Sequence, residues 1–152
     1  MKRKVIYSIL IVLWMSFIFC LSNQPAVDST ELSDGFISNT IGNVYKLFNR
    51  NISSEELNEI KIKYTHPVRK MAHFTIYMIL GILVTLLVRE YNVSFYKCLI
   101  ISLLVCLLYS ISDEIHQLFV LGRSGEVRDV LIDTSGSFIG IYIFNKLFKK
   151  KV

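Results

Sequence analysis

The sequence predicts an all-α integral membrane protein that is a bundle of four transmembrane helices. Three observations support this prediction. Hydrophobic residues make up 53% of the 152 residues, and the mean hydropathy is +0.48. They are concentrated in four long runs, whereas a soluble domain disperses them. Basic residues flank these runs, as they flank membrane spans, so the formal net charge of +5 does not indicate a nucleic-acid partner. The length allows a single domain, residues 1–152, without a separate soluble catalytic module.

The first span is predicted at residues 5–21, directly after a basic N-terminal segment. A signal peptide opens in the same way, but the small-x-small cleavage site is missing after Leu21, which favours a retained signal anchor. The other spans are predicted at 71–88, 95–112 and 130–148, because a bilayer crossing needs about 17–25 mainly apolar residues. Asp133 lowers the hydropathy of the fourth span and is tolerated there if it faces protein or water.

The fourth span also contains a G-x-x-x-G pattern, Gly136 and Gly140. Small residues four apart allow another helix to approach closely. We therefore predict that this side of the span faces the bundle interior, opposite Gly81 or a similar position on the second span.

The basic residues place both termini in the cytoplasm. With the N-terminus inside, the short inner segments carry nine of the 17 basic residues and only one acid, Glu90. The outer segments are much longer and carry the other eleven acids, so the density of Lys and Arg favours this orientation. The nine inner basic residues are Lys2, Arg3, Lys4, Arg89, Lys97, Lys146, Lys149, Lys150 and Lys151.

The first outer segment, residues 22–68, is too long for a structureless loop. Apolar residues at helical spacing predict an amphipathic helix that lies on the outer leaflet or on the bundle. Ser53 and Glu56 form a capping box, which predicts a short helix to about Tyr64. We expect Thr65 and His66 to end that helix and Pro67 to begin the second span. The apolar residues of the amphipathic helix are Leu32, Phe36, Ile37, Ile41, Val44, Leu47 and Phe48.

Polar residues from three distant segments are expected to meet at the outer ends of the spans. Arg69 and His73 share one helix face, and so do Asp129 and Asp133, because residues four apart lie one above the other. Spans two and four begin outside, so their N-termini add partial positive charge there. Together with the basic side chains they predict an anion site for a phosphate or carboxylate. The candidate binding residues are Arg69, Lys70, His73, Asp113, Glu114, His116, Gln117, Arg123, Arg128, Asp129 and Asp133.

The same cluster allows two further interpretations. Glu114, His73 and Asp129 are the candidates for a general acid or base, should the site be catalytic. Alternatively, the charges only pair with one another and lock the helices together. No two histidines have the i, i+4 spacing of a helical metal site, and no cofactor motif is present, so the sequence predicts neither metal nor cofactor.

These residues resemble the motifs of the VanZ-like family of bacterial membrane proteins. The resemblance extends from about residue 5 to 145 and implies a multi-pass protein of the bacterial cytoplasmic membrane. The family takes its name from an accessory protein associated with teicoplanin resistance. The name-giving branch has a shorter outer segment and an asparagine where this chain has Asp133. The resembling residues are Ser22, Asn23, Gln24, Arg69, Lys70, His73, Phe74, Asp113, Glu114, Gln117, Gly122, Arg123, Asp129, Val130, Leu131, Asp133, Gly136 and Gly140.

The sequence suggests three candidate functions for this protein. The first is binding of an anionic lipid or peptidoglycan precursor at the outer face, which would lower susceptibility to teicoplanin-type glycopeptides. The second is a membrane-embedded enzyme that acts on a lipid-linked or phosphorylated envelope substrate. The third, a transporter or channel, is disfavoured by the small size and by the lack of a polar stripe through all four spans. Membrane lipids are the expected partners, and the sequence predicts no oligomeric state.

Overall fold

The computed structural model describes residues 2–48 and 52–148. Within these ranges the secondary structure consists of α-helices joined by short turns and loops. Its helices are α1 (Lys2–Ser22), α2 (Ala26–Leu47), α3 (Ser54–Arg89), α4 (Phe95–Gln117) and α5 (Val127–Leu147). The predicted all-α class is confirmed. Lys149, Lys150 and Lys151, which close the fourth predicted span, lie outside the described residues, as do residues 49–51 of the outer segment.

Helix α3 is longer than the sequence predicted. Its capping box is confirmed, since Ser53 Oγ accepts the Glu56 N–H (3.1 Å) and the Glu56 carboxylate accepts the Ser53 N–H (3.2 Å). The predicted break at Thr65–Pro67 is wrong, because Pro67 lies inside one continuous helix of 36 residues. A proline removes its own backbone hydrogen bond and crowds the carbonyl of the residue four positions earlier, but a long packed helix can accommodate it. At 1.5 Å per residue, α3 is about 54 Å long and exceeds the hydrocarbon core by several turns.

Three helices, α1, α3 and α4, are long and apolar enough to cross a membrane by length and composition. Helix α5 is not among them, because Asp129, Asp133 and Lys146 interrupt its apolar sequence. Leu13, Leu108 and other large apolar side chains are more than half exposed on the outside of the bundle. Serine and threonine side chains are instead buried between the helices. This distribution suits an apolar surrounding.

Helix α5 runs parallel to α3 and packs against it along the whole length of α5. Near one end Lys70 pairs with Asp129, and at the other Arg89 donates a hydrogen bond to the Phe148 carbonyl oxygen. Between them, a Cβ added at Gly136 would overlap the Phe74 carbonyl oxygen, and one at Gly140 would overlap that of Met78. The backbones approach this closely only because both positions are glycine.

The predicted inward face of the small-residue stripe is thereby confirmed. Gly81 of α3 lies opposite the Ser137 backbone of α5, as the sequence suggested. Ser137 Oγ also donates to the Tyr77 carbonyl oxygen (3.1 Å). Helices α1 and α4 complete the bundle, and α1 is joined to α3 by the Trp14 indole N–H, which donates to the Ile76 carbonyl oxygen (2.9 Å).

Helix α2 lies along the part of α3 that extends beyond the bundle. Ser33 and Ile37 are buried in this packing, and Asp34 accepts a hydrogen bond from the Thr65 hydroxyl. On another side of the helix, the Leu32 side chain is 57% exposed and the Phe36 side chain is 63% exposed. Helix α2 therefore covers one side of α3 and leaves an apolar surface uncovered by the described residues.

Candidate functional site

Buried polar side chains converge at the end of the bundle beneath α2. Helix α4 contributes Asp113, Glu114 and Gln117 from its last two turns, and α5 contributes Asp129 and Asp133 from its first two. All five are less than 9% exposed. They can meet because α4 ends and α5 begins at the same level, joined by a loop of nine residues. A continuous face of α3, from Arg69 to Tyr77, completes the cluster.

The Asp113 carboxylate joins three helices. Its Oδ2 accepts hydrogen bonds from Ser22 Oγ of α1 (2.8 Å), the Tyr77 hydroxyl of α3 (3.3 Å) and Gln117 Nε2 (3.3 Å). Gln117 Nε2 also lies 3.4 Å from Ser22 Oγ. Three donors stabilise a carboxylate that would otherwise be costly to bury. Asp113 is therefore a structural link as well as part of the site.

Asp133 lies deeper and faces His73. Its Oδ1 is 3.5 Å from His73 Nδ1, and its Oδ2 accepts a hydrogen bond from Ser110 Oγ (3.1 Å). Asp133 is fully buried, whereas the His73 side chain is 13% exposed. Within the described residues His73 Nδ1 has no hydrogen-bond partner, and His73 lines both cavities described below.

Lys70 and Glu114 contact the first residues of α5 and its N-cap. Lys70 Nζ pairs with Asp129 and lies 3.8 Å from Glu126 Oε2. Glu114 Oε2 accepts the Glu126 backbone N–H (2.9 Å), which satisfies one of the free amides where α5 begins. Within the described residues, Glu114 Oε1 has no hydrogen-bond partner although it is buried, and the same holds for Asp113 Oδ1 and Asp133 Oδ1.

Arg123 connects the α4–α5 loop to the end of α1. Its guanidinium donates to the Gln24 carbonyl oxygen (2.9 Å), the Leu21 carbonyl oxygen (3.4 Å) and Gln117 Oε1 (3.4 Å). All three acceptors are neutral. Burial, followed by the positive charge of Arg69, lowers the pKa of Arg123. The carboxylates of Asp113, Glu114 and Asp129 act on this pKa in the opposite direction.

Arg69 differs from these cations because no described residue pairs with it. It is half-buried, and neither a carboxylate nor a hydrogen-bond acceptor of the described chain contacts its guanidinium. It lines two small cavities, of about 70 and 130 Å³, and both are also lined by His73 and Arg123. The smaller is polar and reaches Lys70 and Asp129. Arg69 therefore lines both cavities together with a second arginine and has no partner among the described residues.

The larger of these two cavities is amphipathic. Its apolar wall consists of Leu21, Leu32, Ala72 and Ile76, and its polar wall includes Arg69, His73 and Arg123. Helix α2 closes it from outside with Ser29, Leu32 and Ser33. The sequence did not predict this contribution of α2; the only signal was the pair Ser29 and Ser33, one turn apart on that helix.

Two candidate residues do not join the cluster. Arg128 is exposed, and His116 packs against the Phe19 ring, with 4.4 Å between the ring centroids. Conversely, the structure adds Ser110 and Glu126, which the sequence did not single out. Among the described residues, no group of three His, Cys, Asp or Glu side chains is arranged to hold a metal ion.

Comparison with known proteins identifies a family. The family model described as VanZ/LLP1 matches residues 7–149, nearly the whole chain. No curated protein and no solved structure matches significantly.

Proposed function

Because the chain belongs to the VanZ/LLP1 family, we propose that it is a multi-pass protein of the bacterial cytoplasmic membrane that binds an anionic lipid or wall precursor at its outer face. One observation carries this proposal. Arg69 presents an unpaired guanidinium to two cavities, beside a second guanidinium whose hydrogen bonds go to neutral oxygens. Guanidinium groups bind phosphate and carboxylate through paired donors, so an anion is the complementary ligand.

The proposed topology has four spans, with α5 as the fourth. Its pairing with α3 from Lys70 to Arg89 gives it the length of a crossing, and its carboxylates face protein. The opposite end of the bundle carries basic residues: Lys4 lies over the Tyr91 ring, 3.7 Å from its centroid, close to Arg89. This end is cytoplasmic in the proposal, and the site faces outward.

Cysteine labelling tests this topology. In a variant without native cysteines, Ser54→Cys at the start of α3 is expected to react with a membrane-impermeant maleimide in intact cells. Tyr91→Cys, in the exposed turn at the other end of α3, should react only after permeabilisation. Labelling of Tyr91→Cys in intact cells would rule out the proposed orientation.

At the level of the cell, we propose that binding at Arg69 lowers susceptibility to teicoplanin-type glycopeptides, by reducing access of the drug to its target at the outer face. Cells that produce the wild-type protein should tolerate more teicoplanin than cells with an empty vector. Arg69→Gln should remove the difference, whereas Arg128→Gln, at an exposed arginine of the same region, should keep it. The variants must be compared at equal membrane abundance. Equal protection by both variants would refute the role of Arg69.

The second candidate function is a membrane-embedded enzyme for a lipid-linked or phosphorylated substrate, and the His73–Asp133 contact favours it. In this function the Asp133 carboxylate, 3.5 Å from Nδ1, would orient the ring, and Nε2 would serve as the general base in a cavity that Arg69 also lines. His73→Gln separates the two functions, since it should abolish turnover of a lipid phosphate but leave its binding to Arg69 largely intact.

A further inference from the structure

A third cavity meets the site at Arg69 and lies between α2 and α3, outside the bundle. Its volume is about 360 Å³, larger than that of the two cavities described above. It is bounded by Thr30 and Asp34 of α2, and by residues Asn58, Lys61, Thr65 and His66 of α3. We call it the α2–α3 cleft. Arg69 lines all three cavities and is the residue that they have in common.

The chemistry of the α2–α3 cleft suits a neutral, hydroxylated group. Lys61 and His66 are donors, the amide of Asn58 is donor and acceptor, and the Asp34 carboxylate is an acceptor. Asp34 already accepts from the Thr65 hydroxyl, so it forms part of the wall. A second phosphate in the cleft would face this carboxylate, whereas hydroxyl groups could donate to it and accept from Lys61.

On the other side of Arg69, the amphipathic cavity offers a place for carbon chains. Leu21 of α1, Leu32 of α2 and Ile76 of α3 form an apolar wall beside the two guanidinium groups. The order along the molecule is therefore the apolar wall, then Arg69 and Arg123, then the polar cleft. A lipid phosphodiester has the same order: acyl chains, phosphate and headgroup.

We propose that the ligand is a lipid phosphodiester with a neutral, hydroxyl-bearing headgroup, with the phosphate at Arg69 and Arg123 and the headgroup in the α2–α3 cleft. This rests on the proposed function and specifies its ligand. The cleft lies on the part of α3 that extends beyond the bundle, where α3 is longer than a bilayer crossing. The headgroup is then on the water side and the carbon chains are on the membrane side.

The experiment compares three soluble probes with the purified protein in detergent: short-chain phosphatidylglycerol, short-chain phosphatidate and inorganic phosphate. Binding is measured by calorimetry. Phosphatidate carries more negative charge at neutral pH, so charge alone would favour it over phosphatidylglycerol. Two hydrogen bonds from the cleft to the glycerol headgroup should reverse the order and make phosphatidylglycerol bind about tenfold more tightly.

Variants then assign the preference to the α2–α3 cleft. Asn58→Ala should bring phosphatidylglycerol affinity down toward that of phosphatidate and leave phosphatidate unchanged. Asn58 is exposed, and no hydrogen bond of its side chain is found among the described residues, so the fold should tolerate the change. Asn39→Ala, on the opposite side of α2, is the matched control and should have no effect.

The outcomes separate this inference from the proposed function. Equal affinity for the two lipids, lost in both cases with Arg69→Gln, would overturn the headgroup assignment and leave the anion site standing. Inorganic phosphate binding as tightly as phosphatidylglycerol would show a free-phosphate site and overturn the lipid assignment. Binding of none of the three probes to the wild type would overturn both.

Discussion

Gly140→Leu is expected to prevent most of the protein from accumulating in folded form. A side chain at this position would collide with the Met78 backbone of α3, which cannot move away as a flexible side chain could. Overpacking of a tight core lowers the free energy of unfolding by about 1–3 kcal/mol, occasionally more. We expect a value at the upper end of this range, because the collision here is with helix backbone. Relief would require α5 to separate from α3 and would break the Lys70–Asp129 and His73–Asp133 contacts.

The matched control is Gly42→Leu on α2, where no described atom would lie within 4 Å of an added Cβ. Both proteins are purified in detergent, and the yield of monodisperse protein and its unfolding temperature are measured. Gly42→Leu should resemble the wild type. Wild-type yield and unfolding temperature for Gly140→Leu would contradict the observed contact between α3 and α5.

The second large effect concerns the two arginines of the site, whose substitution should change stability by very different amounts. Arg123→Gln is expected to destabilise the protein by about 2 kcal/mol or more, because it removes hydrogen bonds to Gln24, Leu21 and Gln117 that join the α4–α5 loop to α1. Arg69→Gln should change the free energy of unfolding by only about 0.5 kcal/mol, since no described residue pairs with Arg69. Unfolding curves of both variants test this contrast, and equal destabilisation would show that Arg69 is structural.

The sequence predicted the all-α class and the start of α3 correctly, for identifiable reasons. Apolar runs of bilayer length and the capping box at Ser53 are local signals, and the all-α class and the cap were confirmed. Residues four apart share a face, so Asp129 with Asp133 and Arg69 with His73 could be grouped before the fold was known. The close approach at Gly140 followed from the small-residue pattern in the same way.

Other features depend on tertiary packing and could not be predicted. Pro67 signalled a helix boundary, but it lies inside the continuous helix α3, which packs against α2 and the bundle. Arg69 and Lys70 are adjacent, and only the rotation of α3 decides that Lys70 meets Asp129 while Arg69 faces the cavities. The packing of α2 over the amphipathic cavity could not be predicted either, because it depends on a contact between α2 and α3, which are separate parts of the sequence.

The measurement that tests the central claim most directly is a titration with short-chain phosphatidate, followed through the unfolding temperature. A ligand that binds only the folded state raises this temperature as its concentration increases. Wild type and Arg128→Gln should show the same concentration-dependent rise. Arg69→Gln should need about tenfold to hundredfold more phosphatidate for the same rise, because it loses charged hydrogen bonds worth about 1.5–3 kcal/mol. The same response in Arg69→Gln as in the wild type would contradict the assignment of Arg69 as the anion-binding residue.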